Sequence, residues 1–309
     1  MKAIAEAPSK AIITGEHFVV HGAWALAAAL PLRVRVEVSQ APSLAIRSDR
    51  FEGRDSPELR PVSRVVEGMA RQFSVTPSVR VSISSEIPEG AGLGSSAATM
   101  VAVASAFSRL HSLGLKVDEL VRCSMVGERF IHGRPSGIDP TVCAYGGVVL
   151  FKRGSKPRRL SMDGTRSLII TYSGEKRSTK GQIGRVSVMR ERFPGLFAML
   201  AGAVSELGFT AAEKLRQGDM EGLGRVLAIN QAALETIGVS NEAINGIVDL
   251  LGSLGCYGAK LTGAGGGGSV VAVAPKAKEK SIVSGLSARG FETFKVKVPT
   301  EGVRSWLER

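Results

Sequence analysis

The stretch Glu86–Ser105, EIPEGAGLGSSAATMVAVAS, sets the reading of the whole chain. Before it, SVRVSIS (Ser78–Ser84) alternates Val79, Val81 and Ile83 with polar residues, which predicts a half-buried strand. After it, Ala97–Leu110 is Ala-rich with apolar residues at helical spacing. Between strand and helix stand Gly90, Gly92 and Gly94, followed by Ser95 and Ser96. Glycines let a backbone curl around a bound group, and Ser95 or Ser96 is expected to cap the helix. A helix start with free N–H groups attracts anions, phosphate above all. The turn Gly90–Ala91–Gly92–Leu93–Gly94–Ser95–Ser96–Ala97 is therefore the candidate nucleotide cradle, acting through its backbone. It is not a Walker loop, which requires Lys directly after the last Gly; here Ser95 follows Gly94. Nor does it carry the dinucleotide fingerprint, because a third Gly at the right offset and a downstream acid are both missing.

Three other segments belong with it: APSKAIITGEHFVVHG (Ala7–Gly22), GERFIHGRPSGIDP (Gly127–Pro140) and KLTGAGGGGSV (Lys260–Val270). In this order, the four resemble the motifs of the GHMP family of small-molecule kinases. The resemblance runs from about Ala7 to Ser269. GEHFVVHG (Gly15–Gly22) and SGEKRSTKG (Ser173–Gly181) resemble in particular the members that phosphorylate mevalonate. The fold implied is α+β: an N-terminal domain like ribosomal protein S5 domain 2, a ferredoxin-like C-terminal domain, and a site between them. The strands and helices do not alternate regularly, which agrees with α+β over a doubly wound sheet.

Composition limits the alternatives. A chain of 309 residues with 44% hydrophobic residues can bury a sizeable core and suits two domains. No stretch reads as long and apolar enough to span a bilayer; the nearest, AWALAAALPL (Ala23–Leu32), is too short and is ended by Pro31. The N-terminus has no apolar signal core, so a cytoplasmic protein is expected. Cys123, Cys143 and Cys256 are odd in number and widely spaced, which argues against a disulfide framework or a metal site. The net charge of +12 suits anionic small molecules; with 5% aromatic residues and dispersed basic ones, nucleic acid is not expected. The densest basic run, KRGSKPRR (Lys152–Arg159), reads as a solvated hairpin or junction loop. The expected partners are thus a small-molecule substrate, no nucleic acid and no membrane, with a homodimer left open.

In chain order the pattern predicts a lead-in Lys2–Pro8, a strand Lys10–Gly15, a turn at His21–Gly22, strands at Arg33–Gln40 and Ser43–Ser48, and a helix over Val62–Phe73. A helix Val117–His132 carries Leu120, Val121, Met125, Val126 and Phe130 as its apolar stripe, with Glu128 largely opposite. GRPSGIDPTV (Gly133–Val142) reads as a loop and GGVVLF (Gly146–Phe151) as a buried strand. A division into 1–160 and 161–309 is expected at the basic loop. The second half predicts a strand at Ser167–Gly174, three helical segments up to Leu254, strands flanking the Gly tract, a helix Ala277–Gly290 and a closing strand Thr293–Val298.

The resemblance also assigns roles. ATP and Mg²⁺ are implied, with Ser96 and Glu128 as metal ligands and Asp139 facing the substrate hydroxyl. Asp139 before Pro140 could instead be a turn residue, and Glu128 a solvent-facing helical Glu. Lys10 opens an apolar strand, where an ammonium is costly unless paired; pairing with Asp139 is expected. Both are the catalytic candidates. Glu16, His17, Thr179, Gly263 and Ala264 are implied on the substrate side, with Ser178 competing with Thr179. The Gly263–Gly268 tract is expected to let a loop pack against the phosphate site. Arg134 departs from the family, where Asn or a shorter polar residue is common. The activity implied is transfer of phosphate from ATP to the primary hydroxyl of mevalonate. The alternatives are another GHMP kinase acting on phosphomevalonate, homoserine or a sugar, and a non-catalytic nucleotide or metabolite sensor.

Overall fold

The computed structural model describes residues 1–160, 167–175 and 179–308. Its two longest strands, β1 (Lys2–Thr14) and β2 (Ala25–Gln40), run antiparallel, joined through a short 3-10 turn at Phe18–His21 that Gly22 closes at φ 91°. The sequence predicts a break at Pro8 and a strand only from Arg33; both strands are continuous. Pro8 pairs with Arg33, whereas Ser9 pairs with Leu30, so Pro31 falls inside the same irregularity. Neither proline can donate to a ladder, and the register slip absorbs both. The slip also divides β2 between two neighbours.

β3 (Ala45–Ser48), α1 (Arg60–Phe73), β4 (Val79–Ser85), α2 (Ser95–Leu110) and α3 (Val117–His132) follow. Then come α4 (Ile138–Tyr145), β5 (Val148–Phe151) and β6 (Arg158–Leu160). Beyond Val34, β2 pairs with β4; before Ala29 it pairs with β5. α2 lies against β1 and β2. Its alanines and valines are buried all round (Ala98, Val101, Ala102 and Ala104 among them), the pattern of a core helix whose small side chains permit close approach. Gly94, not Ser95 or Ser96, is its N-cap, and no side chain caps it.

Two local expectations change and a third holds. The predicted loop at PSGIDP holds a helix, because Gly137 turns at φ 93° and Pro140 falls in the first turn of α4, where proline is tolerated. The stripe predicted for α3 is rotated: Leu120, Cys123, Ser124, Gly127 and Glu128 are buried, whereas Val126 and Phe130 are exposed. The basic run is the turn between β5 and β6, as expected; Arg158 and Lys152 lie 5.1 and 5.9 Å from the Trp24 ring.

The second half holds β7 (Ser167–Tyr172), α5 (Thr179–Arg192), α6 (Pro194–Gln217), α7 (Met220–Thr236) and α8 (Glu242–Ser253). β8 (Gly258–Thr262), β9 (Ser269–Val273), α9 (Glu279–Ser287), β10 (Thr293–Lys297) and β11 (Arg304–Glu308) complete it. β10, β7, β9 and β8 form an antiparallel sheet in that order. Four helices replace the three predicted, since Pro194 starts α6 and Gly218, at φ 80°, ends it before the Asp219 cap of α7. α6 is 24 residues long and apolar enough to cross a membrane by length and composition, a property the sequence reading did not assign to any stretch. It packs Gly208 on the Trp24 carbonyl, and Ser205 Oγ accepts from Trp24 N at 3.1 Å. β10 does not close the chain: β11 returns to pair with β1. Residues 304–308 therefore belong to the first sheet, so a cut at 160 does not separate the two sheets cleanly.

Gly94 lies at φ 79°, and a Cβ there would stand 2.8 Å from Lys10 Cε and 2.9 Å from Cγ. Lys10 is buried and cannot retreat. Gly94→Ala is expected to cost about 1–3 kcal/mol from left-handed strain and overpacking. Urea unfolding checks this; an unchanged midpoint would contradict the packing of Lys10 under the turn.

Candidate active site

Lys10 stands in β1 with its side chain 1% exposed. Its ammonium lies 3.2 Å from Asp139 Oδ2 and donates to the Gly92 carbonyl at 3.3 Å. Its backbone N–H donates to the Leu93 carbonyl at 2.9 Å. The expected Lys10–Asp139 pair is thus formed, directly beneath the glycine turn. Asp139, in the first turn of α4, keeps about a third of its side chain exposed (32%). Ala91, Leu93 and Ala97 are buried; Gly90, Gly92 and Gly94 are half-open, with φ between 75° and 80°. The alternation anchors the turn by its apolar side chains. It leaves the uncapped start of α2 facing outward with its first N–H groups unclaimed by any side chain.

Ser96 Oγ donates to Glu128 Oε1 at 2.6 Å. Glu128 is 3% exposed, not solvent-facing. Burial pushes its carboxyl up to about 7; the Ser96 bond opposes this, and the charge of Asp139 adds to it. Among the described residues no cluster of three or more His, Cys, Asp or Glu could hold a metal, so a cation here would rest on two protein oxygens. Mg²⁺ characteristically takes one or two protein ligands and keeps water for the rest, so this donor pair fits it.

Glu16 and His17 follow the end of β1. Glu16 is 1% exposed and ion-paired with Lys260, which is fully buried in β8. Burial pushes the Glu16 carboxyl up and the Lys260 ammonium down, and their mutual attraction opposes both shifts. Among the described residues Glu16 Oε2 has no hydrogen-bond partner. His17 adopts φ 60°, and its Nε2 lies 2.9 Å from the Ala264 carbonyl. A carbonyl only accepts, so Nε2 carries the proton. His21 stacks edge-on against Phe197 and meets Arg190 at 3.1 Å.

The glycine tract after β8 turns with positive φ at Gly263 and from Gly265 to Gly268. A Cβ at Gly265 would meet the Val239 carbonyl at 2.1 Å, and one at Gly266 would meet Gln182 at 2.0 Å. At its end, Ser269 Oγ donates to the Ala91 carbonyl at 2.8 Å, so the tract packs against the glycine turn. Ser178 lies outside the described residues. Thr179 begins α5, and its side chain is likewise outside them.

Lys10, Asp139, Glu16, His17, Glu128, Gly263 and Ala264 line one cavity of about 150 Å³. Arg134 lines it too and has no ion pair among the described residues. A second cavity of about 320 Å³ opens on the other side of Ser96, lined by Gly90 and Ser95 and by Ser48, Asp49, Ile83 and Met100. The Ser96–Glu128 bond stands between the two.

Sequence reasoning missed Lys260 and the second cavity. Lys260 carried the signal that found Lys10, a lysine in an apolar strand. The second cavity carried none: its wall joins the irregular segment 48–51 to β4 and α2, which meet only in the fold.

A two-chamber site with a glycine turn between chambers is the plan of a small-molecule kinase, and comparison agrees. The GHMP kinases N terminal domain matches residues 60–147 and the GHMP kinases C terminal domain matches 211–292. The chain belongs to the GHMP kinase family. It is 33% identical to a mevalonate kinase of Aeropyrum pernix, with 97% of each chain covered. It is 32% identical to one of Methanothermobacter thermautotrophicus over 98% of this chain and all of that one. A crystal structure of L. major mevalonate kinase in complex with R-mevalonate superposes with a TM-score of 0.81 at 29% identity, covering 95% of both chains. Lactococcus lactis galactokinase, at 16% identity and a TM-score of 0.81, shares the fold.

Removing the Asp139 carboxylate leaves a buried ammonium with the Gly92 carbonyl as its remaining hydrogen-bond partner among the described residues. Asp139→Ala is expected to cost about 2–4 kcal/mol, below the loss for a fully buried pair because Asp139 is partly hydrated. Asp139→Asn keeps an acceptor oxygen and should cost less. Equal urea midpoints for all three proteins would contradict the ion pair.

Proposed function

We propose that this chain transfers the γ-phosphoryl group of ATP to the primary hydroxyl of mevalonate, giving 5-phosphomevalonate and ADP. One observation carries the reading: the Lys10–Asp139 pair sits under the glycine turn and on the wall of the cavity that Glu16, His17 and Ala264 also line. Phosphoryl transfer asks for positioning and electrostatic stabilisation more than for covalent chemistry, and each part has a candidate.

ATP would lay its phosphates along Gly90–Ala97, held by backbone N–H groups at the uncapped start of α2. Its base would enter the larger cavity, whose wall joins Ile83 and Met100 to the polar Ser48 and Asp49. Ser96 and Glu128 are the residues that would hold Mg²⁺. When bound, that ion neutralises charge on the β- and γ-phosphates. In the smaller cavity, Asp139 accepts the hydrogen bond of the attacking hydroxyl and aims it at the γ-phosphorus. Lys10 stabilises the negative charge that develops on that oxygen as its proton passes to the Asp139 carboxylate. Glu16 and His17 receive the rest of the alcohol. A substrate carboxylate would supply an ion partner for Arg134, which has none among the described residues, and this favours mevalonate over galactose. Thr179, at the start of α5, is a further substrate-side candidate. The division into domains 1–160 and 161–309 remains part of this reading, amended by β11. So does action as a small-molecule enzyme of the cytoplasm, without nucleic acid or membrane.

Coupled ADP release with mevalonate, phosphomevalonate, homoserine and galactose side by side tests the assignment. Mevalonate is expected to give the highest kcat/KM, and a higher value for any other alcohol would overturn it. In the same assay Asp139→Asn should lower kcat by about a hundredfold or more while leaving the KM for ATP nearly unchanged. Full activity in that variant would remove Asp139 from the chemistry.

A further inference from the structure

A buried cation on the far side of Glu16 has no part in the chemistry above. Lys260 lies in β8, fully buried, and its ammonium reaches three oxygens: one carboxylate oxygen of Glu16 and the carbonyls of Ile12 (3.4 Å) and Leu261. Its neighbourhood is tied down from both halves of the chain. Ile12 N donates to Thr262 Oγ1 at 2.7 Å, Leu261 N donates to Gln231 Oε1 at 2.9 Å, and Gly15 N donates to Asn230 Oδ1 at 3.1 Å. Among the described residues Glu16 is thus gripped by Lys260 through one oxygen, and the other, Oε2, is buried without a partner, on a residue that lines the smaller cavity. A fully satisfied structural ion pair would use both oxygens, whereas an unspent acceptor beside a cavity is suited to a ligand hydroxyl.

We propose that Lys260 is a positioning residue: it keeps Glu16 ionised and turned so that Oε2 accepts a hydrogen bond from a hydroxyl group of the acceptor alcohol. This rests on the reading that the smaller cavity receives that alcohol. Lys260 itself touches no substrate. Its role is to answer the buried negative charge from behind, so that the carboxylate need not take up a proton to be buried. The other charged groups bearing on Glu16 are Lys10, which also favours its ionised form, and, around the cavity, Asp139, Glu128, Arg134, His17 and His132. Among the described residues, the side-chain hydrogen bond to Glu16 comes from Lys260.

Lys260→Met removes the cation and keeps most of the bulk. Glu16 then lies buried beside an apolar side chain, and its titration moves upward. Three readouts follow. The KM for the acceptor alcohol should rise by about tenfold or more, while that for ATP stays within about twofold. The raised acceptor KM should fall again as pH increases, because deprotonation of Glu16 restores the acceptor. In Glu16→Gln/Lys260→Met, which has neither charge, this pH dependence should vanish and stability should recover relative to Lys260→Met, since no unpaired charge is buried. A ¹³C-glutamate NMR titration, with Glu16 assigned by Glu16→Gln, follows the carboxyl without any need for turnover. If Lys260→Met leaves the Glu16 titration unmoved, or raises both KM values in parallel with no pH dependence, Lys260 is merely structural and the proposal falls. If that variant does not fold, a double variant whose acceptor KM equals that of the wild type overturns it equally. A protein that transfers nothing to mevalonate yet shows the moved titration would sink the substrate reading and leave Lys260 its role.

Discussion

An ammonium group with almost none of its side chain in contact with water must be answered by oxygen, and the structure is arranged around that requirement at Lys10. Its partners come from two distant parts of the chain: the Gly92 carbonyl, 82 residues on, and the Asp139 carboxylate at the start of α4. Each partner depends on glycine. Gly94 is small enough to lie over the lysine stem, and Gly137 turns the chain into α4 so that Asp139 points back. Burial makes the charge expensive, and the same burial makes it effective, because a charge removed from water acts strongly on a group that develops charge beside it.

The second half of the chain completes this arrangement. Five polar contacts that cross between the halves converge on the site: Ile12 with Thr262, Gly15 with Asn230, His17 with Ala264, Ala91 with Ser269, and Glu16 with Lys260. Most of them fasten the segment from β1 to the 3-10 turn onto β8, α7 and the glycine tract. The buried polar groups at this seam are therefore concentrated around the smaller cavity, and the apolar cores on either side bear the bulk of the folding free energy.

Much of this was legible in the sequence. The strand, glycine turn and helix around Glu86–Ser105 appear where alternation and helical spacing put them, and Lys10 beside an apolar strand called for an acid that Asp139 supplies. Boundaries failed where punctuation misled. Pro8 and Pro31 suggested strand ends, yet a slipped register accommodates both. Pro140 suggested a loop, yet proline fits the first turn of a helix. Glu128 shows the limit of periodicity: an apolar stripe drawn through Val126 and Phe130 turned it toward solvent, when Gly127 lets α3 approach α2 closely and buries the glutamate next to Ser96. The strand β11 and the cavity beside Ser48 depend on contacts between segments far apart, which no local pattern encodes.

The claim beneath all of these is that the Lys10 charge acts on the transferring group and does not merely hold the fold. Rapid-quench single turnover with Lys10→Met, at saturating ATP and mevalonate, measures this directly. The account predicts that the variant binds ATP about as well as the wild type and melts within a few degrees of it, while its rate of ADP formation in the first turnover falls by two or more orders of magnitude. A first turnover as fast as that of the wild type would contradict it and leave Lys10 as a structural residue.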